Sequence, residues 1–157
     1  MQPIATRQWQ TGGPEETHAL GVCLGQRAAR GDLVACYGTL GAGKTIFIQG
    51  FAAGLGVEAA AYVRSPTFTV VHEYKAKIPI YHFDFYRLFH VSEAQDIGFE
   101  EYLDAGGVVI AEWADKFPQL LPASRLDVRI HILSTEGRNI QCLVYDPAYV
   151  RYLCLTL

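Results

Sequence analysis

The sequence predicts an α/β fold in which a mixed parallel and antiparallel sheet is flanked by few helices. Three observations carry that prediction. Gly38-Thr39-Leu40-Gly41-Ala42-Gly43-Lys44-Thr45 matches the pattern G-x-x-x-x-G-K-[ST]. A short apolar run, Asp32 to Tyr37, leads into this loop, and a mostly apolar run, Thr45 to Ala53, leads out of it as a helix would. The last third of the chain alternates apolar with polar residues through Leu126, Val128, Ile130 and Ile132, then again through Ile140, Cys142 and Val144. Strand, glycine loop and helix in that order is the P-loop unit of nucleotide-binding domains. The alternating strands add an antiparallel part to its parallel half, giving a P-loop NTPase-like domain.

The remaining elements follow in order. Arg7 to Trp9 reads as a short strand and Thr11-Gly12-Gly13-Pro14 as a turn. Pro14 has no N–H to leave unpaired in a first helical turn, and the carboxylates of Glu15 and Glu16 suit the positive end of a helix. Ala19, Leu20, Cys23, Leu24 and Ala28 recur at helical spacing, and Gly31 is expected to close that helix. The helix after the glycine loop is expected to end near Gly54 or Gly56. Ser65-Pro66-Thr67-Phe68-Thr69 opens a β-branched and aromatic run through Val71, His72 and Tyr74. A turn with Lys75, Lys77 and Pro79 separates it from the alternating strand Ile80-Tyr81-His82-Phe83-Asp84, so the two form a hairpin-like pair. Ser92-Glu93-Ala94-Gln95 reads as a capping box that starts a helix running towards Gly98, and Phe99 to Leu103 as a second helical piece. Gly106-Gly107 precedes the strand Val108-Val109-Ile110-Ala111, which runs into Glu112-Trp113, and Thr135 to Asn139 turns the chain between the last two strands.

Composition narrows the function classes. With 157 residues, half of them apolar, the chain fits one domain over residues 1–157 with a sizeable core. A net charge of −3 and scattered lysines and arginines lack the basic footprint of an autonomous nucleic-acid binder. The four cysteines, Cys23, Cys36, Cys142 and Cys154, form no C-x-x-C pair and read as small buried hydrophobes suited to a reducing cytosol. No basic-then-apolar leader opens the chain and no apolar run reaches membrane-spanning length, so a cytoplasmic protein without a membrane role is expected.

The chemistry of the loop is specific. Gly38, Gly41 and Gly43 let the backbone wrap around phosphate oxygens, and the following helix adds the partial positive charge of its N-terminus. Lys44 is placed to reach the outer phosphates and the Thr45 hydroxyl to ligate Mg²⁺. Such a loop needs a carboxylate at the end of a neighbouring strand for the metal or its waters, and Asp84 and Glu112 both occupy that kind of position. A solvated strand-end carboxylate is the alternative for either one alone. Thr67 lies where P-loop switch proteins place a hydroxyl that senses the γ-phosphate, although a threonine also suits any strand surface. His82 reads as a satisfied strand histidine before it reads as a base. Trp113 either stacks on something planar or packs the core, and Arg138 is either a nucleotide contact or a solvated arginine.

Taken together, Gly38-x-Leu40-Gly41-Ala42-Gly43-Lys44-Thr45, Ser65-Pro66-Thr67-Phe68-Thr69, His82-x-Asp84-x-Tyr86-Arg87 and Glu112-Trp113 resemble the TsaE family, from Thr11 through Arg138. The resemblance implies a small bacterial P-loop ATPase that uses ATP and Mg²⁺. It further implies TsaB- and TsaD-like partners in making the threonylcarbamoyl group on adenosine 37 of tRNAs reading ANN codons. Contact with tRNA would be indirect, and hydrolysis would reset the partner complex between turnovers. By position, Gly38, Leu40, Gly41, Ala42, Gly43, Lys44 and Thr45 would hold the phosphates. Thr45 and Glu112 would hold the metal; Lys44, Asp84, Glu112 and Thr67 would serve hydrolysis; Thr11, Trp113 and Arg138 would lie near the nucleotide. Thr39 stands where the family often has an acidic residue, and Ile46 where a second threonine often follows. Two rival readings are a small-molecule kinase, for which the chain lacks an arginine-rich lid, and a binding module that nucleotide merely gates.

Overall fold

The structure is a computed structural model and describes residues 1–155. In chain order its elements are β1 (Ala5–Thr11), α1 (Pro14–Gly25), β2 (Leu33–Tyr37), α2 (Lys44–Gly54), β3 (Val71–Tyr74), β4 (Ile80–Asp84), α3 (Val91–Ile97), α4 (Phe99–Leu103), β5 (Val108–Glu112), β6 (Leu126–Ile132) and β7 (Arg138–Val144). A 3₁₀ turn, Pro147–Leu153, follows the last strand. The strands form one seven-stranded sheet in the order β1-β7-β6-β2-β5-β4-β3. The inner strands β6, β2, β5 and β4 run parallel; β7 and β3 run against them on either side, and β1 pairs antiparallel with β7 at the edge. The expected mixed α/β sheet is therefore present.

The central strands β2 and β5 face two apolar layers, which is why their sequences read as continuous apolar runs, while β6 and β4 beside them alternate. Val34, Cys36, Val108, Ile110, Val128 and Ile130 pack under α1 and α2 against Leu20, Leu24, Phe47, Ile48 and Phe51. Leu33, Ala35, Val109 and Ala111 point the other way, into Phe83, Phe85, Phe99, Phe117 and Leu120 around α3 and α4. The two helices over the first face lie backbone to backbone. A Cβ on Gly25 would sit 2.1 Å from the Phe51 carbonyl oxygen, and one on Gly50 would sit 2.1 Å from that of His18. This close approach fixes the start of α2, and with it Lys44, relative to the sheet.

Several expected boundaries move. β1 extends well beyond Arg7 to Trp9 because β7 offers it a full ladder from Ala5↔Val144 to Thr11↔Arg138. α1 ends at Gly25 rather than Gly31: the Ala29 N–H goes to the Asp32 carboxylate at 2.9 Å instead of a helical carbonyl, and the chain bends into β2. Residues 65–69 do not open a strand. Thr67 N–H bonds the Ser65 carbonyl at 2.9 Å and Val70 N–H that of Pro66 at 2.7 Å, so the segment turns and pairing starts only at Val71. α3 is capped from His90, ahead of Ser92, because the Glu93 carboxylate reaches back to the N–H groups of Phe89 (3.0 Å) and His90 (2.9 Å). The C-terminal 3₁₀ turn had no sequence signal; Tyr152 and Arg151 bring it onto the buried Asp32 carboxylate. Of the four cysteines, Cys36 and Cys142 are buried as expected, Cys23 is half-buried and Cys154 is exposed.

Candidate nucleotide site

The glycine loop leaves the carboxyl end of β2 and enters α2 directly. Gly41 (φ +79°) and Gly43 (φ +104°) hold left-handed backbone that a side chain would strain. The first helical amide bonded to its own helix is Phe47, to Gly43 at 3.0 Å, so the N–H groups of Lys44, Thr45 and Ile46 have no helical acceptor. Lys44 is buried, and its ammonium donates to the carbonyls of Gly38 and, at 3.2 Å, Thr39. It lies 4.5 Å from the centre of the Trp113 ring and forms no ion pair among the described residues. Burial pulls its pKa below the usual lysine value, against the opposing pull of Glu112 and Asp84.

Parallel pairing brings the two acids together. Asp84 ends β4, Glu112 ends β5, and they are opposite each other in register, with Cys36 of β2 opposite Glu112 on its other side. Asp84 accepts from the Thr67 hydroxyl at 3.1 Å and from the Tyr86 N–H at 2.9 Å. Burial raises its pKa above the ordinary carboxylate range and the charge of Glu112 adds to that, while these two hydrogen bonds and His82 oppose it. Glu112 Oε2 lies 2.7 Å from His82 Nε2, and both side chains are buried. Among the described residues His82 Nδ1 has no partner. The Thr45 hydroxyl lies 3.1 Å from that of Ser65. Lys44, Thr45, Thr67, Asp84, Glu112 and Trp113 thus line one cleft of about 410 Å³.

Other expected residues take different places. Leu40 points its side chain outward and Ala42 is buried, so both serve the loop as backbone. Arg138 braces that backbone, donating to the carbonyls of Ala42 at 2.8 Å and Gly41 at 3.3 Å. Thr11 is outside the cleft: it is buried, hydrogen-bonded to Thr17 at 2.8 Å and opposite Arg138 in the β1–β7 ladder. Arg138, Thr17 and Gly43 line a smaller hollow of about 140 Å³ on the other side of the loop. Ser65 escapes sequence spacing, because only tertiary folding brings it to Thr45, whereas the Tyr86 amide closes a local turn two residues after Asp84.

The model of the family described as "Threonylcarbamoyl adenosine biosynthesis protein TsaE" matches residues 11–140, a span that contains every one of these groups. The chain belongs to the TsaE family. Among curated TsaE proteins, that of Bacillus subtilis (strain 168) is 41% identical over 134 residues, covering 85% of this chain and 82% of the relative. The TsaE of Treponema pallidum is 33% identical over 126 residues, covering 80% and 92%. The crystal structure of Bacillus subtilis YdiB superposes with a TM-score of 0.80 at 32% identity, over 98% of this chain and 95% of that one. The resemblance read from four short motifs is therefore a family relationship across fold and sequence.

Proposed function

We propose that this TsaE-family chain is an ATP-binding, Mg²⁺-dependent ATPase and an accessory subunit in forming the threonylcarbamoyl group on adenosine 37 of tRNAs reading ANN codons. The observation that carries the reading is Lys44: a buried cation with no ion pair among the described residues, at a helix N-terminus, near two strand-end carboxylates. A polyphosphate supplies anionic oxygens in direct reach of that ammonium, which neither carboxylate does. Among the described residues no three His, Cys, Asp or Glu side chains gather as a metal cage. That suits Mg²⁺, which takes one or two protein ligands and shares the rest with phosphate oxygens and water. Thr45 and Glu112 would hold it, with Asp84 the other candidate. Bound there, Mg²⁺ would neutralise charge on the transferring phosphoryl group.

The chain's own groups do the rest. Lys44 exchanges its loop carbonyls for phosphate oxygens, the loop amides hold the same oxygens, and Trp113 walls the cleft. Asp84 orients the attacking water, with Thr67 holding one of its oxygens. No arginine lines the cleft among the described residues, so Lys44 is the one side-chain cation there, no arginine finger adds to it, and turnover is slow alone. TsaB- and TsaD-like proteins are the partners that accelerate it, in the cytoplasm, where tRNA is held by them rather than by this chain. The test is ATP hydrolysis by the wild type, Asp84→Ala and Glu112→Ala, with and without both partners. Stimulation that either substitution abolishes is expected; rates indifferent to partners and to both substitutions would sink the reading.

A further inference from the structure

Phe68 and Phe89 are 83% and 84% exposed, far more than a core residue that has merely slipped outward. Each carries a cation over its ring. The Arg87 guanidinium lies 4.2 Å from the Phe68 centroid, and the Lys116 ammonium lies 5.8 Å from that of Phe89 while donating to the Tyr86 carbonyl at 2.7 Å. Neither cation forms an ion pair among the described residues. Aromatic rings with an arginine are the side chains that dominate binding energy at protein interfaces.

The same two segments hold Asp84. Phe68 follows Thr67, whose hydroxyl bonds one carboxylate oxygen, and the Tyr86 N–H bonds the other. Val70, which closes the first segment, has φ +69°, a left-handed conformation that costs a β-branched residue energy. Tyr86 also packs 4.9 Å from Trp113, the residue over Lys44.

We infer that Phe68, Tyr86, Arg87, Phe89 and Lys116 form the surface on which an acidic, apolar-tipped segment of a partner protein docks, and that docking resets the two hydrogen bonds on Asp84. The inference rests on the accessory reading above. A protein segment is favoured over RNA because, among the described residues, two cations flank the rings, enough to pair with one or two carboxylates but too few to track a phosphate backbone, and the chain carries a net charge of −3. By linkage, nucleotide in the cleft changes partner affinity by the factor with which the partner changes nucleotide affinity.

The experiment measures two quantities on the full chain: ATP hydrolysis alone, and the Kd for the TsaB- and TsaD-like pair by surface interferometry at two salt concentrations. Phe68→Ala/Phe89→Ala should hydrolyse ATP alone at the wild-type rate yet bind the pair at least ~10-fold more weakly, the loss expected of truncating a hot spot. Arg87→Glu should weaken binding similarly, and the wild-type Kd should rise with salt. A doubly substituted chain that binds the pair like wild type, or a wild type that does not bind it, overturns the surface. Binding of tRNA alone that the double substitution abolishes overturns the choice of partner. A wild type that binds the pair but hydrolyses no ATP overturns the enzymatic reading and leaves the surface standing.

Discussion

At the scale of single residues, the site stores its cost in two groups. Asp84 and Lys44 are buried with their pKa values displaced towards the neutral forms, up for the acid and down for the base. The shift of Asp84 links its proton to folding. Between the ordinary carboxylate range and its raised value, the folded chain keeps a proton that the unfolded chain has lost, so stability falls as pH rises through that window. Above it, the ionised group is a standing cost that Mg²⁺ or a bridging water would relieve. We predict that Asp84→Asn raises the melting temperature of the nucleotide-free chain at pH 7 and flattens its decline from pH 4 to 7, while abolishing hydrolysis. Melting curves across pH check the first part, and a lower melting temperature at pH 7 would contradict it. The sequence made Lys44, Thr45, Asp84 and Glu112 legible because their chemistry demands a fixed local pattern. It left the Glu112–His82 pair hidden, since that contact is a diagonal between two strands and depends on register.

At the scale of elements, the decisive contact is between α1 and α2. Gly21, Gly25, Gly50 and Gly54 each face a backbone carbonyl oxygen at 2.1 to 2.4 Å from where a Cβ would sit. An added methyl at any of them must push the helices apart. Gly50→Ala should therefore destabilise the chain by about 1–3 kcal/mol, the usual range for overpacking, despite alanine's better helix propensity. It should also weaken nucleotide binding, because α2 begins with Lys44. Denaturant unfolding beside nucleotide titration tests both; a gain in stability would refute the backbone-to-backbone packing. β2 and β5 were legible as apolar runs, and α2 and α3 stop at the glycines expected, whereas the end of α1 and the start of α3 were not legible. Asp32 and Glu93 decide them by reaching back to amides of preceding residues, and competition of that kind between side chain and carbonyl leaves no periodic trace.

For the whole molecule, the site joins distant parts of the chain: the loop after β2, the ends of β4 and β5, and a brace from β7. Arg138 holds the loop through the Ala42 and Gly41 carbonyls. Arg138→Met should leave the fold intact but weaken ATP binding by about 10-fold, equivalent to one hydrogen bond with a charged donor. The stabilisation by saturating ATP, about 2.7 kcal/mol when the ligand is at 100 times its Kd, should shrink accordingly in thermal melts. An unchanged shift would show the brace to be idle. Strand order was not legible, for adjacency in the sheet follows tertiary packing and not spacing along the chain. The most distant pairing of all, β1 with β7, matches Ala5 to Val144. While a ribosome makes this chain at ~5–20 residues per second, the first strand emerges many seconds before the strand that will hold it. Through that interval it offers an unpaired edge to the cell, and Arg7, Gln8 and Gln10, which keep it polar, protect the newborn protein as much as the finished one.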